Sequence, residues 1–132
     1  MSIPICSFDL IGITDGSIAN NQINTLTVNT SISNTVVESN TFSAILTFTG
    51  NMTNTAVNQN ICKSDFITGT SGVSEIQMRN VSISGNKITG TGPGVGGLLF
   101  RGDVTCEYVT ISDNIIKIPA STFPATATLI SM

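Results

Sequence analysis

The sequence predicts an all-β fold, a parallel β-helix, on three observations. An eight-residue frame recurs five times: Gly16–Ile23 (GSIANNQI), Thr35–Phe42 (TVVESNTF), Thr55–Cys62 (TAVNQNIC), Val81–Ile88 (VSISGNKI) and Val109–Ile116 (VTISDNII). Of 132 residues, 15 are Ser, 19 Thr, 13 Asn and 18 Ile, a mix of β-branched residues and small turn formers that favours strands. No apolar pattern of period 3.6 fills a helix-length window, so almost no helix is expected.

The copies align on Asn21, Asn40, Asn60, Asn86 and Asn114, at intervals of 19, 20, 26 and 28 residues. Three residues before each Asn stands a β-branched aliphatic residue: Ile18, Val37, Val57, Ile83 or Ile111. Two residues after it stands Ile23, Phe42, Cys62, Ile88 or Ile116. A repeat of roughly 20–30 residues carrying short strands is a solenoid signal. Stacked copies would bring the five Asn into a structural ladder, each amide bonded to the one above and below. A side chain of this type also tolerates the left-handed backbone of a tight corner, a role expected here of the Asn itself.

Taken in order, residues 1–15 read as an opening strand and partial cap: Ile3, Ile5, Phe8, Leu10, Ile11 and Ile13 are apolar, and Pro4 keeps the start out of a central strand. Residues 16–118 form the repeat turns. Leu26–Val28 and Ile45–Phe48 alternate apolar and polar and supply a second strand to the compact turns. Longer intervals follow, Thr68–Asn80 and Thr89–Thr105, with extra strands at Val73–Met78 and Leu98–Phe100. From these the coil is expected to widen, or to gain a third face. Pro119 ends the last copy, and residues 119–132 form an extended tail with a final strand at Thr128–Ile130. The chain is thus one β-helix domain of about five to six short turns.

Composition narrows the function. Charged residues make up 10% and hydrophobic ones 40%, which separates the chain from disordered sequences. The net charge is −3 and the five basic residues are scattered, which speaks against a nucleic-acid-binding face. There is no transmembrane run, no membrane insertion is expected, and no secretion signal is visible. Three widely spaced Cys (Cys6, Cys62, Cys106) suit neither a disulfide framework nor a zinc site, and Cys62 falls in an inward column. No cofactor or metal is expected.

With no His, histidine-based catalysis is absent, and glycoside cleavage would need two carboxylates facing a groove. The best cluster is Arg101, Asp103, Glu107 and Tyr108. Asp103 and Glu107 are the weak catalytic candidates, as an acid/base pair. Arg101 and Tyr108 are the binding candidates, with Arg101 steering an acidic sugar. Phe42 and Phe48 fall inward by phase, leaving few aromatic platforms for a deep glycan site, although rows of Thr, Ser and Asn could bind one shallowly. The string Gly92–Gly97 matches G-x-G-x-x-G, but a strand follows it rather than a helix, so it reads as a turn. Arg101-Gly102-Asp103 and the sequons at Asn29, Asn51 and Asn80 are expected by chance in such a chain.

The copies NVSISGNKI from Asn80 and YVTISDNII from Tyr108 resemble rungs of the right-handed parallel β-helix, pectin-lyase-like superfamily. The resemblance covers roughly residues 16–118. Within that superfamily the weakly charged Ser/Thr/Asn-rich chain is most similar to a segment of a phage or viral tailspike or fibre. That implies a rigid, non-catalytic shaft or tip on the virion surface that contacts host cell-surface polysaccharide. Apolar outward positions at Val36, Ile61 and Ile115, with two uncapped ends, point to self-association as a homotrimer. The alternatives are a small polysaccharide lyase or glycoside hydrolase of the same superfamily, and a fragment of an extracellular, cell-surface adhesin.

Overall fold

Each residue of a parallel strand pair stacks on its equivalent one repeat later, so repeated inward residues become continuous apolar columns. The computed structural model describes residues 6–69, 75–89, 98–101, 104–117 and 130–131, those of 98–101 and 130–131 by their backbone. Among them there are fourteen strands and no helix. They are β1 (Cys6–Thr14), β2 (Ser17–Ala19), β3 (Gln22–Glu38), β4 (Thr41–Phe42), β5 (Leu46–Phe48), β6 (Asn51–Asn58) and β7 (Ile61–Cys62). Then follow β8 (Phe66–Gly69), β9 (Ile76–Ser84), β10 (Lys87–Thr89), β11 (Leu98–Arg101), β12 (Val104–Ser112), β13 (Ile115–Lys117) and β14 (Ile130–Ser131). All join one curled, solenoid-like sheet in which every pairing is parallel. Parallel strands need long connections. Here the connection is the rest of each pass around the coil.

Four of the inward columns set the register. In the first, Ile23, Phe42, Cys62, Ile88 and Ile116 stack directly. In the second, Phe8, Leu26, Leu46 and Phe66 stack, and the backbone of Leu98 follows in register. The third holds Ile13, Ile32, Met52, Met78 and Cys106. The fourth holds Ile18, Val37, Val57, Ile83 and Ile111. Their middle members are buried and form one core, with Phe42 and Phe48 both inside. Phe48 and Phe66 meet edge to face with centroids 5.9 Å apart, a contact worth about 0.5–1.5 kcal/mol beyond its area.

The register corrects two expectations. Leu98–Phe100 and Ile76–Met78 are not additions to the coil. Leu98–Phe100 lies over Phe66–Thr68 in the second column, and Met78 lies over Met52 in the third. The third column already exists in the compact passes as Ser31–Ser33 and Asn51–Thr53, where one apolar residue per strand, Ile32 or Met52, was too sparse a signal. Residues 70–74 and 90–97 of the longer intervals lie outside the described residues. The second correction concerns the corners. Positive φ belongs to the residue before each ladder Asn: Asn20 (59°), Ser39 (55°), Gln59 (54°), Gly85 (64°) and Asp113 (55°). The preceding residue makes the left-handed bend, and the ladder Asn turns its side chain inward.

Candidate functional site

The coil carries two amide rows, one at each left-handed corner. In the inner row the main-chain N–H and the Nδ2 of each Asn donate to Oδ1 of the next. Asn21 reaches Asn40 at 3.0 and 3.3 Å, Asn40 reaches Asn60 at 3.0 and 3.1 Å, and Asn60 reaches Asn86 at 3.0 and 3.0 Å. Asn86 reaches Asn114 at 3.0 and 2.9 Å. Each Nδ2 spends its second proton on a main-chain carbonyl, such as Asn60 on Val37 at 2.9 Å and Asn86 on Val57 at 2.8 Å. Asn40, Asn60 and Asn86 are buried, and among the described residues no buried side-chain polar atom lacks a partner. That satisfies the requirement buried amides impose.

The second corner lies five residues before the first, six before the ladder Asn, at Asp15 (φ 53°), Asn34 (48°), Asn54 (47°), Asn80 (54°) and Tyr108 (55°). Its row is exposed. Asn34 Nδ2 donates to Asp15 Oδ1 at 2.8 Å, Asn54 Nδ2 to Asn34 Oδ1 at 3.0 Å, and Asn80 Nδ2 to Asn54 Oδ1 at 2.9 Å. A buried Thr follows in two passes and ties the bend: Thr35 Oγ1 donates to the Ser33 carbonyl at 2.7 Å, Thr55 Oγ1 to the Thr53 carbonyl at 2.9 Å. This row has the same intervals as the inner one. It went unseen in the sequence because the repeating frame was cut one residue short of it, and because Tyr108 breaks its Asx character.

Beside the outer row runs a shallow groove of about 520 Å³. Its floor is the outward-facing line Val36, Ala56, Ser82 and Thr110, which stack in register. Its wall is Asn34, Asn54 and Asn80, and Tyr108 lines it from the uppermost of these passes, 79% exposed. No Asp, Glu, Lys or Arg lines it. After its ladder bonds, Asn54 keeps one amide proton and one acceptor lone pair for an outside partner. Holding a bulky side chain in the left-handed region costs Tyr108 roughly 1–2 kcal/mol, a cost that Asn at this corner largely escapes.

Comparison with protein-family models, with curated proteins and with solved structures finds no match for this chain. The reading of function therefore rests on the geometry.

The candidates cluster only in part. Tyr108 lines the groove. Glu107, next to it, lines a separate small pocket with Gln77, Arg79 and Thr105, where its Oε2 accepts from Arg79 Nε at 2.7 Å and meets a terminal guanidinium nitrogen at 2.6 Å. Arg79 lies below it in register. Arg101 closes β11, its backbone paired with Gly69. Asp103, the Gly92–Gly97 string and Gly102 lie outside the described residues. The sequon residues are engaged: Asn80 in the outer row, Asn51 Oδ1 with the Gln77 N–H at 2.9 Å, and Asn29 Nδ2 with Asp9. Among the described residues no three His, Cys, Asp or Glu side chains gather in a metal-ligand geometry.

At the lower end a cavity of about 410 Å³ opens among Phe8, Leu10, Ile18, Ile23 and Leu26, with Asn21 at its side. Here the interior columns meet the surface. Phe8 is 46% and Ile11 79% exposed.

Proposed function

We propose that the chain is a structural and adhesive module of a viral spike or fibre, a right-handed parallel β-helix of about five to six turns. It assembles as a homotrimer on the virion surface, contacts host surface polysaccharide and carries no catalysis of its own. The observation that carries this reading is the pair of parallel amide rows. The inner row runs from Asn21 to Asn114, with Asn40, Asn60 and Asn86 buried and every hydrogen-bonding site of those three used, a continuous tie along the axis. The outer row presents the same repeat to solvent beside a groove. Stiffness along one axis together with a periodic polar flank suits a shaft that touches a repetitive polymer. The right hand follows the near-universal handedness of parallel crossovers.

Self-association is supported by apolar surface that one copy leaves uncovered. Ile61 is 42% and Ile115 61% exposed on the outside of the first column, and the lower end opens onto the core. Val36, at 36%, belongs to the groove floor instead. For the hydrolase or lyase alternative, Glu107 sits in an exposed ion pair with Arg79 and does not line the groove that Tyr108 lines.

Light scattering tests the assembly. A particle of three times 13.8 kDa that survives heating in detergent is the expected result. A 13.8 kDa monomer at micromolar concentration sinks the spike reading.

A further inference from the structure

Resting on the adhesive reading above, we propose that the outer-corner groove binds an extended, uncharged polysaccharide along the coil axis, with Tyr108 stacking on one sugar ring. The charge of the site sets the ligand class. No ionic side chain lines the groove, and the nearest ion pair, Arg79–Glu107, is internally neutralised. An acidic polymer would find no Lys or Arg in the groove to pair with, whereas hydroxyl groups find amides and hydroxyls.

Periodicity sets the orientation. The groove crosses four passes of a parallel sheet, so Asn34, Asn54 and Asn80 repeat at the strand spacing of roughly 4.7–4.9 Å. One pyranose advances an extended chain by a comparable length. Each bonded amide keeps a proton and a lone pair in hand, so successive sugars meet equivalent partners.

Tyr108 is the independent observation. The other four passes place Asp or Asn at this corner, residues that suit φ near 50° and continue the hydrogen-bonded row. Tyr does neither, and it lines the groove as an exposed residue. A flat apolar ring with a polar tip at the end of an amide-lined channel is the group that stacks on a sugar's C–H face. The strain at this corner is thus matched to a ligand contact and not to the fold.

The test is affinity electrophoresis of the full chain through gels carrying dextran, mannan, polygalacturonate or hyaluronate, with calorimetry on any polymer that retards it. Retardation by a neutral polymer and not by the acidic ones is expected. Tyr108→Asn is expected to weaken that binding by about tenfold or more while its melting temperature holds or rises, since Asn relieves the corner and extends the row. Tyr108→Phe restores most of the binding. Retardation confined to the acidic polymers, none by either neutral polymer, or unchanged binding in Tyr108→Asn overturns the proposal. The trimer reading fails separately: a monomer that binds neutral polymer keeps this inference, and a trimer that binds only acidic polymer removes it.

Discussion

Asn60 donates twice to a single atom of Asn86. Its main-chain N–H and its Nδ2 both reach Asn86 Oδ1 at 3.0 Å. Its own Oδ1 receives the same two bonds from Asn40, and its remaining Nδ2 proton goes to the Val37 carbonyl. Every hydrogen-bonding site of a fully buried amide is thus used. Removing the side chain strands both Asn40 donors and takes one bond each from the Val37 carbonyl and Asn86 Oδ1, which keeps the main-chain N–H of residue 60, in a place water does not reach.

Asn60→Ala is therefore expected to cost about 2–4 kcal/mol in urea unfolding, because the desolvated partners lose their bonds without compensation. Asn60→Asp keeps the acceptor and the main-chain N–H to Asn86 but offers no side-chain proton to Val37 or Asn86, and should be at least as damaging. Asn21→Ala is the control. Asn21 is exposed at the row's lower end and its loss should stay within about 1 kcal/mol. Equal effects at both positions would mean that the row contributes nothing by being buried.

Two glycines separate backbone crowding from backbone conformation. A Cβ on Gly50 would lie 1.3 Å from the Thr30 carbonyl oxygen and 2.1 Å from its carbon, both main-chain atoms that cannot swing aside. Gly50→Ala should cost about 3 kcal/mol or more, or prevent folding. Gly85 has φ +64°, yet its nearest foreign atom to a Cβ is Gln59 Cγ at 3.5 Å, an ordinary contact. Its equivalents in the other passes are Asn20, Ser39, Gln59 and Asp113. Gly85→Asn should shift stability by less than about 1 kcal/mol. Comparable losses in both variants, by thermal denaturation, would contradict the register described above.

These contrasts show which features a sequence can carry. The inward columns of Ile18 and Ile23 were legible because β-branched or apolar residues recur at both positions in all five copies. The left-handed site was misassigned by one residue. Asn20, Ser39, Gln59, Gly85 and Asp113 share tolerance of a conformation but no single chemistry. The third column hid behind Ser31–Ser33 and Asn51–Thr53, where a lone inward side chain per pass is enough once the other inward columns enclose the interior. Tyr108 was picked out as a binding candidate on its aromatic character. The amide row beside it was not, since Asn34, Asn54 and Asn80 stand among 13 Asn and only the fold separates them from the rest.

The Arg79–Glu107 pair offers a discriminating variant. Both side chains are well exposed, at 67% and 45%, so solvent screens the attraction despite the short contact. Glu107→Gln should change stability by less than about 1 kcal/mol, and added salt should shrink even that difference. If Glu107 instead acted in polysaccharide cleavage, the same variant would abolish release of reducing ends with the fold intact. Reducing-end assays on neutral and acidic polymers are expected to give no signal with either protein.

The three thiols should separate by accessibility. Cys62 is fully buried in the first column, and burial pushes its thiol up from 9.0 to about 12, because the apolar interior disfavours the thiolate. Cys6 and Cys106 are exposed. A disulfide reagent at pH 8 should label those two in the native protein and reach Cys62 only on unfolding. The same burial gives stability a pH dependence of known sign. Between pH 9 and 12 the unfolded chain loses the Cys62 proton while the folded chain retains it, so the unfolded state binds fewer protons and stability falls as pH rises. The contribution is intact below pH 9. Cys62→Ala removes this term, at the cost of a small cavity, and should flatten the alkaline limb of a stability profile measured from pH 8 to 11. Rapid labelling of all three thiols at pH 8 would instead mean that the wall between the first column and solvent opens readily, which the stacking of Phe42, Cys62 and Ile88 argues against.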